Sequence, residues 1–336
     1  MLEFGRGDVQ AQAFVGKKEY RMKKRIVYAV MAVAALFIAA TAFGSFYLLD
    51  YALASKPESH RKNWGKAMAW YPELRPWLDS IKHEQAWRDT FAVMPDGTQA
   101  HAVYISSRKA GGRTAVVVHG YTNNSIDMLH IARIYNKEMH CNVLLPDLHG
   151  HGQSGGSDIR MGWLDRLDVL RWIRLAPQMA AVPDDSLRLV VHGISMGAAT
   201  TMCVSGEPTP SYVRCFVEDC GYTSVWDEFA HELRGRFSLP EFPLLYTSSW
   251  LAECKYGWSF KDASPLRQVA KCRKPMLFIH GSKDTFVPTW MVYPLYEAKP
   301  KPKELWIAPG SEHAFSYRDH REEYTRRVCK FVGRYM

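Results

Sequence analysis

Cysteine motifs, internal repeats and low-complexity segments are missing from this 336-residue sequence. The seven cysteines form no CxxC pair and no spacing typical of a metal site. Their odd number leaves at least one thiol unpaired within the chain, and buried free thiols are the expected state of most of them. Charged residues make up 23% of the chain and hydrophobic residues 47%, which excludes a mostly disordered protein and allows one large core.

Acidic residues are scarce at the N-terminus, where much of the net charge of +9 is concentrated. In residues 1–25, the basic side chains are Arg6, Lys17, Lys18, Arg21, Lys23, Lys24 and Arg25, against the acidic Glu3, Asp8 and Glu19. Such a leader can bind nucleic acid or lie beside a membrane. The segment that follows it favours the membrane, so we expect no nucleic-acid partner.

No charged residue interrupts the run from Ile26 to Leu49. As a helix rising about 1.5 Å per residue, this run reaches about 36 Å, enough to cross a hydrocarbon core of about 30 Å. A cleaved signal peptide is the alternative, because residues 52–54 (Ala-Leu-Ala) resemble a cleavage site. The apolar cores of signal peptides are usually about 7–15 residues long, so we favour an uncleaved signal-anchor.

The charge distribution also predicts a topology. Positive residues stay on the cytoplasmic side of a membrane, so residues 1–25 are expected in the cytoplasm and the remainder outside it. Residues 50–82 are interpreted as a membrane-proximal helical neck whose tryptophans and tyrosine can sit at the membrane interface. The globular domain is expected at residues 83–336.

Within that domain, short apolar runs alternate with longer helical stretches. A hairpin is predicted around the turn at residues 95–97 (Pro-Asp-Gly). The later runs are rich in Val, Leu, Ile and Phe, and longer segments at 125–138, 164–179 and 195–205 lie between them as predicted helices. This alternation predicts an α/β fold with a mostly parallel eight-stranded sheet and helices on both faces. The six later strands are expected at 114–118, 142–145, 187–192, 215–218, 276–280 and 304–308.

Residues 224–262 do not fit the alternation. The segment is too long for a plain connection and too rich in aromatic residues for a solvated loop. We interpret it as a small helical cap over the carboxyl ends of the strands. Its aromatics, Trp250 and Trp258 among them, either form an acyl pocket or pack the cap onto the sheet.

The pentapeptide Gly193-Ile194-Ser195-Met196-Gly197 is the main chemical signal. It follows the strand LRLVVH and opens a helical stretch, which is the context of the G-x-S-x-G turn that exposes a nucleophilic serine. The flanking glycines are needed because the turn leaves no room for side chains. Ser195 is therefore the predicted nucleophile.

The partners of such a serine follow in the required order. Asp284 comes directly after the strand MLFIH, and His313 comes directly after ELWIA. His313 would take the serine proton, and Asp284 would orient and stabilise its ring. Asp219, at the end of another strand, is kept as the alternative acid.

Two further loops bear on the site. His119-Gly120-Tyr121 ends a strand, and the main-chain N–H groups of Tyr121 and Met196 are the predicted oxyanion donors. His149-Gly150-His151 has the spacing of metal ligands but lies in a glycine-rich turn with no third ligand nearby, so a turn is preferred. No cofactor and no metal are predicted.

At this point the sequence resembles a known superfamily. The segments VVVHGY, LLPDLHGHGQSGG, GISMGAAT, EDCGYTS, LFIHGSKDTFVP and GSEHAF follow one another as in α/β hydrolases. The cap and its flanks (FSLPEFPLLY, YGWSFKDASPLRQV, MVYPLYEAKPKPKELW) look closer to the Bem46/YqkD-like branch, whose members are often anchored at the N-terminus. The resemblance covers residues from about Trp70 to the C-terminus, and the family's triad positions match Ser195, Asp284 and His313.

The resemblance implies the α/β-hydrolase fold and hydrolysis through a serine. Carboxylic esters are the expected substrates, with a small-molecule ester or acyl compound as the partner in catalysis. A serine aminopeptidase or a thioesterase would use the same triad, and a non-catalytic membrane scaffold is the alternative of another class. A serine rather than an aspartate at position 195 argues against a dehalogenase or an epoxide hydrolase.

Overall fold

The computed structural model describes residues 5–55 and 60–336. The strands are β1 (Trp87–Val93), β2 (Gln99–Ile105), β3 (Arg113–Val118), β4 (Asn142–Pro146), β5 (Arg188–Ile194), β6 (Val213–Asp219), β7 (Met276–Gly281) and β8 (Lys303–Ala308). The α-helices of the described residues are α1 (Gly5–Leu53), α2 (His60–Trp70), α3 (Leu74–His83), α4 (Leu129–Arg133), α5 (Asp165–Ala180), α6 (Met196–Ser205), α7 (Val225–Phe237), α8 (Leu244–Tyr256), α9 (Pro265–Val269), α10 (Val292–Ala298), α11 (Ser316–Asp319) and α12 (Arg321–Val332).

The eight strands form one sheet in the order β1-β2-β4-β3-β5-β6-β7-β8. β1 and β2 form the expected antiparallel hairpin, β2 pairs antiparallel with β4, and the remaining neighbours are parallel. The predicted mostly parallel eight-stranded sheet is therefore confirmed. Because β5 lies between β3 and β6, the loops that leave these three strands meet at the carboxyl edge near the middle of the sheet.

Helices cover both faces of the sheet. Alternate residues of β3 show why, since Val116 and Val118 are buried in one core and Ala115 and Val117 in the other. Helices α5, α6, α9 and the cap pack on the first face, and α3, α4 and α12 pack on the second. A strand that is buried on both sides is apolar along most of its length, which is the pattern that predicted it from the sequence.

The single helix expected over residues 125–138 is divided into shorter turns. The side chain of Asn124 accepts a hydrogen bond from the Ile126 amide, and Asp127 accepts one from the Asn124 amide. These bonds close a 3₁₀ turn at Ser125–Met128 before α4 begins, and a π turn at Ile134–Glu138 follows α4. Local bonds from polar side chains compete here with a continuous helix.

Helices α2 and α3 fall within the segment predicted as a neck, of which residues 56–59 lie outside the described residues. Leu74, Trp77 and Ile81 of α3 are buried against the second face of the sheet. The indole N–H of Trp77 donates to the side-chain oxygen of Asn136 at 2.9 Å. These helices therefore share the core of the domain whose start we predicted at residue 83.

The predicted span from Ile26 to Leu49 lies within α1, whose residues 17–53 are long and apolar enough to cross a membrane. The last turns of α1 pack along α8, which with α7 forms the predicted cap. The Ser45 hydroxyl hydrogen-bonds the Thr247 hydroxyl, and a Cβ added to Gly44 would lie 3.0 Å from a methyl of Leu244. Close approach of the two helices thus depends on small residues in α1.

Candidate active site

Ser195 lies in the tight turn between β5 and α6, with φ 58° and ψ −122°. This conformation is strained for a residue that has a side chain. The flanking glycines permit the turn, because a Cβ on Gly193 would overlap the Gly197 carbonyl oxygen and one on Gly197 would overlap the Val118 carbonyl oxygen. The Ser195 amide donates to the main-chain oxygen of Asp219 at 2.8 Å. The turn therefore fixes the Ser195 side chain at the carboxyl edge of the sheet.

His313 connects Ser195 to Asp284. Its Nε2 lies 2.8 Å from Ser195 Oγ, and its Nδ1 lies 2.7 Å from Asp284 Oδ2. With Nδ1 donating to the carboxylate, Nε2 can accept the serine proton. The structure thus brings together the three side chains that the sequence selected, from loops that follow three different strands.

The carboxylate of Asp284 is fully enclosed and fully bonded. Its Oδ1 accepts hydrogen bonds from the amides of Phe286 and Val287, both at 3.0 Å. His280 Nε2 lies 3.3 Å from Oδ2. Burial opposes ionisation, but hydrogen bonds from His280 and His313 outweigh it and hold the pKa of Asp284 below its usual value. Asp284 therefore stays ionised beside the His313 ring.

The alternative acid, Asp219, is bonded elsewhere. Its Oδ1 accepts from the Ser316 hydroxyl at 3.3 Å, and within the described residues no hydrogen bond joins its carboxyl to His313. Burial raises the pKa of Asp219 to about 6, against the opposing effects of the Tyr324 hydroxyl and the nearby His280. Its main-chain oxygen, in contrast, contacts the site directly by accepting the Ser195 amide.

The loop after β3 passes close to Ser195. A Cβ added to Gly120 would lie 3.3 Å from Ser195 Cβ, so the main chain directly before Tyr121 approaches the serine closely. Met196 is the first residue of α6, where main-chain N–H groups have no partner within the helix. In the described part of the chain neither the Tyr121 amide nor the Met196 amide donates a hydrogen bond to another residue. Both are therefore free to bind an oxygen of a ligand.

A cavity of roughly 150 Å³ lies beside Ser195. A dry cavity of about this volume holds a benzene-sized group in other proteins. Its walls come from the loops of the sheet, from the cap and from the end of α1. The cap contributes Phe229, Leu233, Phe237 and Leu245, and α1 contributes Leu48, Tyr51 and Ala52. The space is therefore mainly apolar, and three separate parts of the chain enclose it.

Of the cap aromatics that the sequence offered for this pocket, Phe229, Phe237 and Phe260 line it, whereas the two tryptophans do not. Trp250 is 62% exposed on the outer side of α8, and Trp258 is 1% exposed in the core, where its ring packs near Phe260. The hypothesis that these two tryptophans form an acyl pocket is therefore wrong. Leu48, Tyr51 and Ala52 are spaced as residues on one face of a helix, and this spacing is visible in the sequence. The sequence does not show, however, which part of the chain packs against that face.

Comparison with known proteins assigns this geometry to a family. The sequence profile of the prolyl oligopeptidase family matches residues 164–336. The chain is also 31% identical to the uncharacterised protein YqkD of Bacillus subtilis over 219 residues, which cover 65% of this chain and 70% of YqkD. It belongs to the prolyl oligopeptidase family of α/β hydrolases. The predicted resemblance, including its YqkD-like branch, is confirmed.

Solved structures agree on the fold of this α/β hydrolase. The esterase Pf2001 of Pyrococcus furiosus superposes with a TM-score of 0.60 and 25% identity, covering 74% of this chain and 93% of the esterase. A puromycin-hydrolyzing peptidase of Mycobacterium tuberculosis superposes with a TM-score of 0.58 and 19% identity, covering 74% of this chain and 39% of the peptidase. The second likeness concerns the fold alone. An esterase and a peptidase thus share this architecture.

Glu228 is a site residue of the α/β hydrolase that the sequence did not reveal. It lines the cavity from α7, it is 3% exposed, and its Oε2 has no hydrogen-bond partner among the described residues. Burial, together with the negative charge of Glu232, raises the pKa of Glu228 well above its usual range. Burial therefore favours the protonated form of Glu228, which can donate a hydrogen bond.

The two histidines of the glycine-rich turn do not share a ligand position. His149 faces the carboxylates of Asp96 and Asp158, at 3.6 Å and 3.3 Å. The Nε2 of His151 instead accepts the Thr122 amide at 3.3 Å. These contacts with neighbouring residues account for both histidines as structural parts of the turn that supports the site.

Proposed function

We propose that this α/β hydrolase is a membrane-anchored serine hydrolase that cleaves carboxylic esters through an acyl-enzyme on Ser195. The observation that carries the proposal is the hydrogen-bonded chain from Ser195 Oγ through His313 to Asp284, beside an apolar cavity. This order of nucleophile, base and acid is the one that acyl transfer through a serine uses.

Acylation begins when Ser195 Oγ attacks the ester carbonyl carbon while His313 Nε2 takes the hydroxyl proton. Asp284 keeps Nδ1 protonated and stabilises the positive ring that forms. The negative charge that develops on the carbonyl oxygen is bound by the Tyr121 and Met196 amides. The alcohol then leaves with the proton from His313.

Deacylation repeats these steps with water. His313 takes a proton from water, the hydroxide attacks the acyl carbon, and the same two amides bind the oxyanion. Collapse of this second intermediate returns the proton to Ser195 and releases the acid. The chain's own residues provide the nucleophile, the base and the oxyanion donors, so the scheme uses no cofactor.

A serine aminopeptidase is the second candidate function, because the matching family is one of peptidases. The cavity favours ester hydrolysis over peptide hydrolysis, because its lining is mainly apolar and offers few groups that could bind the polar main chain of a peptide. A thioesterase would use the same site. A non-catalytic scaffold would not need the strained Ser195 turn or the bonded His313.

One set of assays separates these classes. Full-length protein in detergent is treated with a fluorophosphonate probe and then assayed with p-nitrophenyl butyrate, an aminoacyl p-nitroanilide and a butyryl thioester. We expect labelling that Ser195→Ala abolishes and Ser186→Ala, on an exposed turn, preserves. The ester should be cleaved fastest. Absence of labelling in the wild type would leave the scaffold as the function.

The proposed topology has its own test. Seven basic residues precede the apolar run, so the catalytic domain is expected outside the cytoplasm. Protease added to intact spheroplasts should degrade the domain, while a cytoplasmic marker protein survives. A domain that stays protected until the membrane is broken would reverse the orientation.

A further inference from the structure

The last turns of α1 form one wall of the cavity beside Ser195. Leu48, Tyr51 and Ala52 line it from the helix. The Tyr121 hydroxyl donates to the Ala52 carbonyl oxygen at 2.8 Å, and the Tyr51 ring meets the edge of Phe237 with 5.7 Å between centroids. The apolar helix is thus bonded both to the loop that carries a proposed oxyanion donor and to the cap.

The wall is anchored in the domain on its other sides as well. Leu49 and Leu53 are buried in the same core as the cap helices. The Leu53 carbonyl oxygen accepts the Ile159 amide at 2.8 Å, and the Ser55 amide donates to the Ser157 oxygen at 3.0 Å. The end of α1 therefore has a defined position over the site.

The cavity has the chemistry of a hydrocarbon subsite. Its cap side consists largely of Phe229, Leu233, Phe237 and Leu245. The guanidinium of Arg236 is paired with Glu232, and burial raises the pKa of the Glu228 carboxyl well above its usual range. Apolar surface of this kind binds an acyl chain by removing it from water, and it gives a charged group no partner.

Exposed apolar side chains lie both on the cap and on the part of α1 that packs against it. On the cap they include Phe242, Tyr246 and Trp250, which are 70%, 48% and 62% exposed, and we call these three residues the cap aromatic patch. On α1, Phe43 and Phe46 are exposed in the turns that pack along α8. Large exposed apolar patches mark interaction surfaces, and aromatic residues are enriched at the membrane interface. The patch adjoins a helix that is long and apolar enough to cross a membrane.

We propose that the substrate is a long-chain acyl ester of the bilayer in which α1 lies, and that its chain enters the cavity against Leu48, Tyr51 and Ala52. This inference rests on the proposed esterase function. Ser195 forms the bond to the acyl carbon, the alcohol leaves with the proton from His313, and water supplies the hydroxyl of the released fatty acid. The end of α1 is then a specificity-determining element, and the cap aromatic patch lies in the lipid interface.

The test uses full-length protein in phosphatidylcholine nanodiscs. Leu48→Trp and Ala52→Trp fill the cavity from α1, while Leu36→Trp adds the same side chain at an exposed position of the same helix. We expect each filling variant to lower kcat/KM for p-nitrophenyl palmitate relative to p-nitrophenyl butyrate by about tenfold or more. Leu36→Trp should leave that ratio unchanged. A ratio unaffected by both filling variants overturns the assignment of the wall.

A second arm addresses the bilayer. Monooleoylglycerol is presented either within phosphatidylcholine vesicles or in detergent micelles. Phe242→Ala and Trp250→Ala should slow hydrolysis in vesicles by about threefold to tenfold and leave micellar hydrolysis unchanged. Phe91→Ala, an exposed aromatic on the edge strand β1, is the matched control. Equal effects in vesicles and micelles would overturn the lipid role of the patch.

Failure of the inference and failure of the proposed function look different. If neither the wild type nor any variant reacts with a fluorophosphonate or cleaves p-nitrophenyl butyrate, the proposed esterase function is overturned. If the wild type does both but does not cleave the monoacylglycerol in either form, the function stands and the lipid substrate is overturned.

Discussion

Ser195, Asp284 and His313 lie on loops that leave β5, β7 and β8, whereas the cavity beside them is enclosed by the helices α1, α7 and α8. The loops follow strands of one sheet, in which β5 and β7 are hydrogen-bonded on both sides and β8 pairs with β7 alone, and main-chain bonds to neighbouring loops hold them further. The helices are held mainly by side-chain packing and by a few bonds such as that from Tyr121 to Ala52. Substitutions in the first region are expected to change the rate of the chemical step, and substitutions in the second to change which substrate is used.

The proposed catalytic acid, Asp284, gives the largest expected effect. Asp284→Asn should lower kcat by about 10⁴-fold, because the amide no longer holds His313 in the productive tautomer. Asp219→Asn should lower kcat far less, since its carboxyl bonds Ser316 and not His313. Steady-state kinetics with p-nitrophenyl butyrate measure both, and the reverse ranking would move the acid to Asp219.

The two cap tryptophans separate packing from substrate choice. Trp258→Ala removes a buried ring and should lower the free energy of unfolding by about 3–5 kcal/mol. Trp250→Ala alters an exposed ring and should change the free energy by less than about 0.5 kcal/mol. Because neither ring lines the cavity, the preference between p-nitrophenyl butyrate and palmitate in detergent should stay that of the wild type. A changed preference between the two esters in Trp258→Ala would show that packing of the cap core also determines the shape of the cavity.

Glu228 gives a pH-dependent effect on stability. Its folded-state pKa is raised, so the folded state keeps a proton that the unfolded state loses once the pH rises above about 4.5, and folding becomes less favourable with rising pH. Glu228→Gln cannot ionise and escapes this loss. The Tm advantage of the variant over the wild type should therefore grow by a few degrees between pH 5 and pH 8. Glu232→Gln, one turn along α7 and paired with Arg236, is the control, and an advantage that is constant with pH would contradict the burial argument.

Tyr121 tests the connection between the two regions and has the smallest expected effect. Tyr121→Phe removes the hydrogen bond to the Ala52 carbonyl and should cost about 1 kcal/mol of stability. Its main-chain amide remains, so kcat for p-nitrophenyl butyrate should stay within about threefold of the wild type. A much larger loss of kcat would mean that the end of α1 positions the oxyanion donors.

The comparison also explains what the sequence could predict. Residues 193–197 and the loops of Asp284 and His313 are local patterns, each tied to the end of a strand, and the parallel sheet brings such ends together. The face of Leu48, Tyr51 and Ala52 is equally regular, but its position depends on contacts with α8 and with residues 121 and 159, more than 65 positions away in the chain. Short-range patterns identify faces of helices, and only the tertiary structure decides what those faces meet.

The choice between the two candidate acids shows the same limit of prediction from sequence. Asp219 ends β6 and Asp284 lies in the loop that follows β7, and order along the chain alone favoured Asp284. What distinguishes them in the structure is the direction of the side chains, since Asp284 turns to His313 and Asp219 turns to Ser316. That direction follows from loop conformations over a few residues, such as the two amides that hold Asp284 Oδ1.

The buried end of α1 has a practical consequence for producing the protein. Removing residues 1–50 to obtain a soluble hydrolase would delete Leu48 and Leu49, and it would leave Tyr51 and Ala52 without the helix that holds them. Gly44 and Ser45 would be lost as well, and the side of α8 that they cover would face solvent. Such a shortened protein would keep Ser195, Asp284 and His313 and open its cavity to water. Its substrate preferences would describe a wider, wetter pocket than that of the full-length protein.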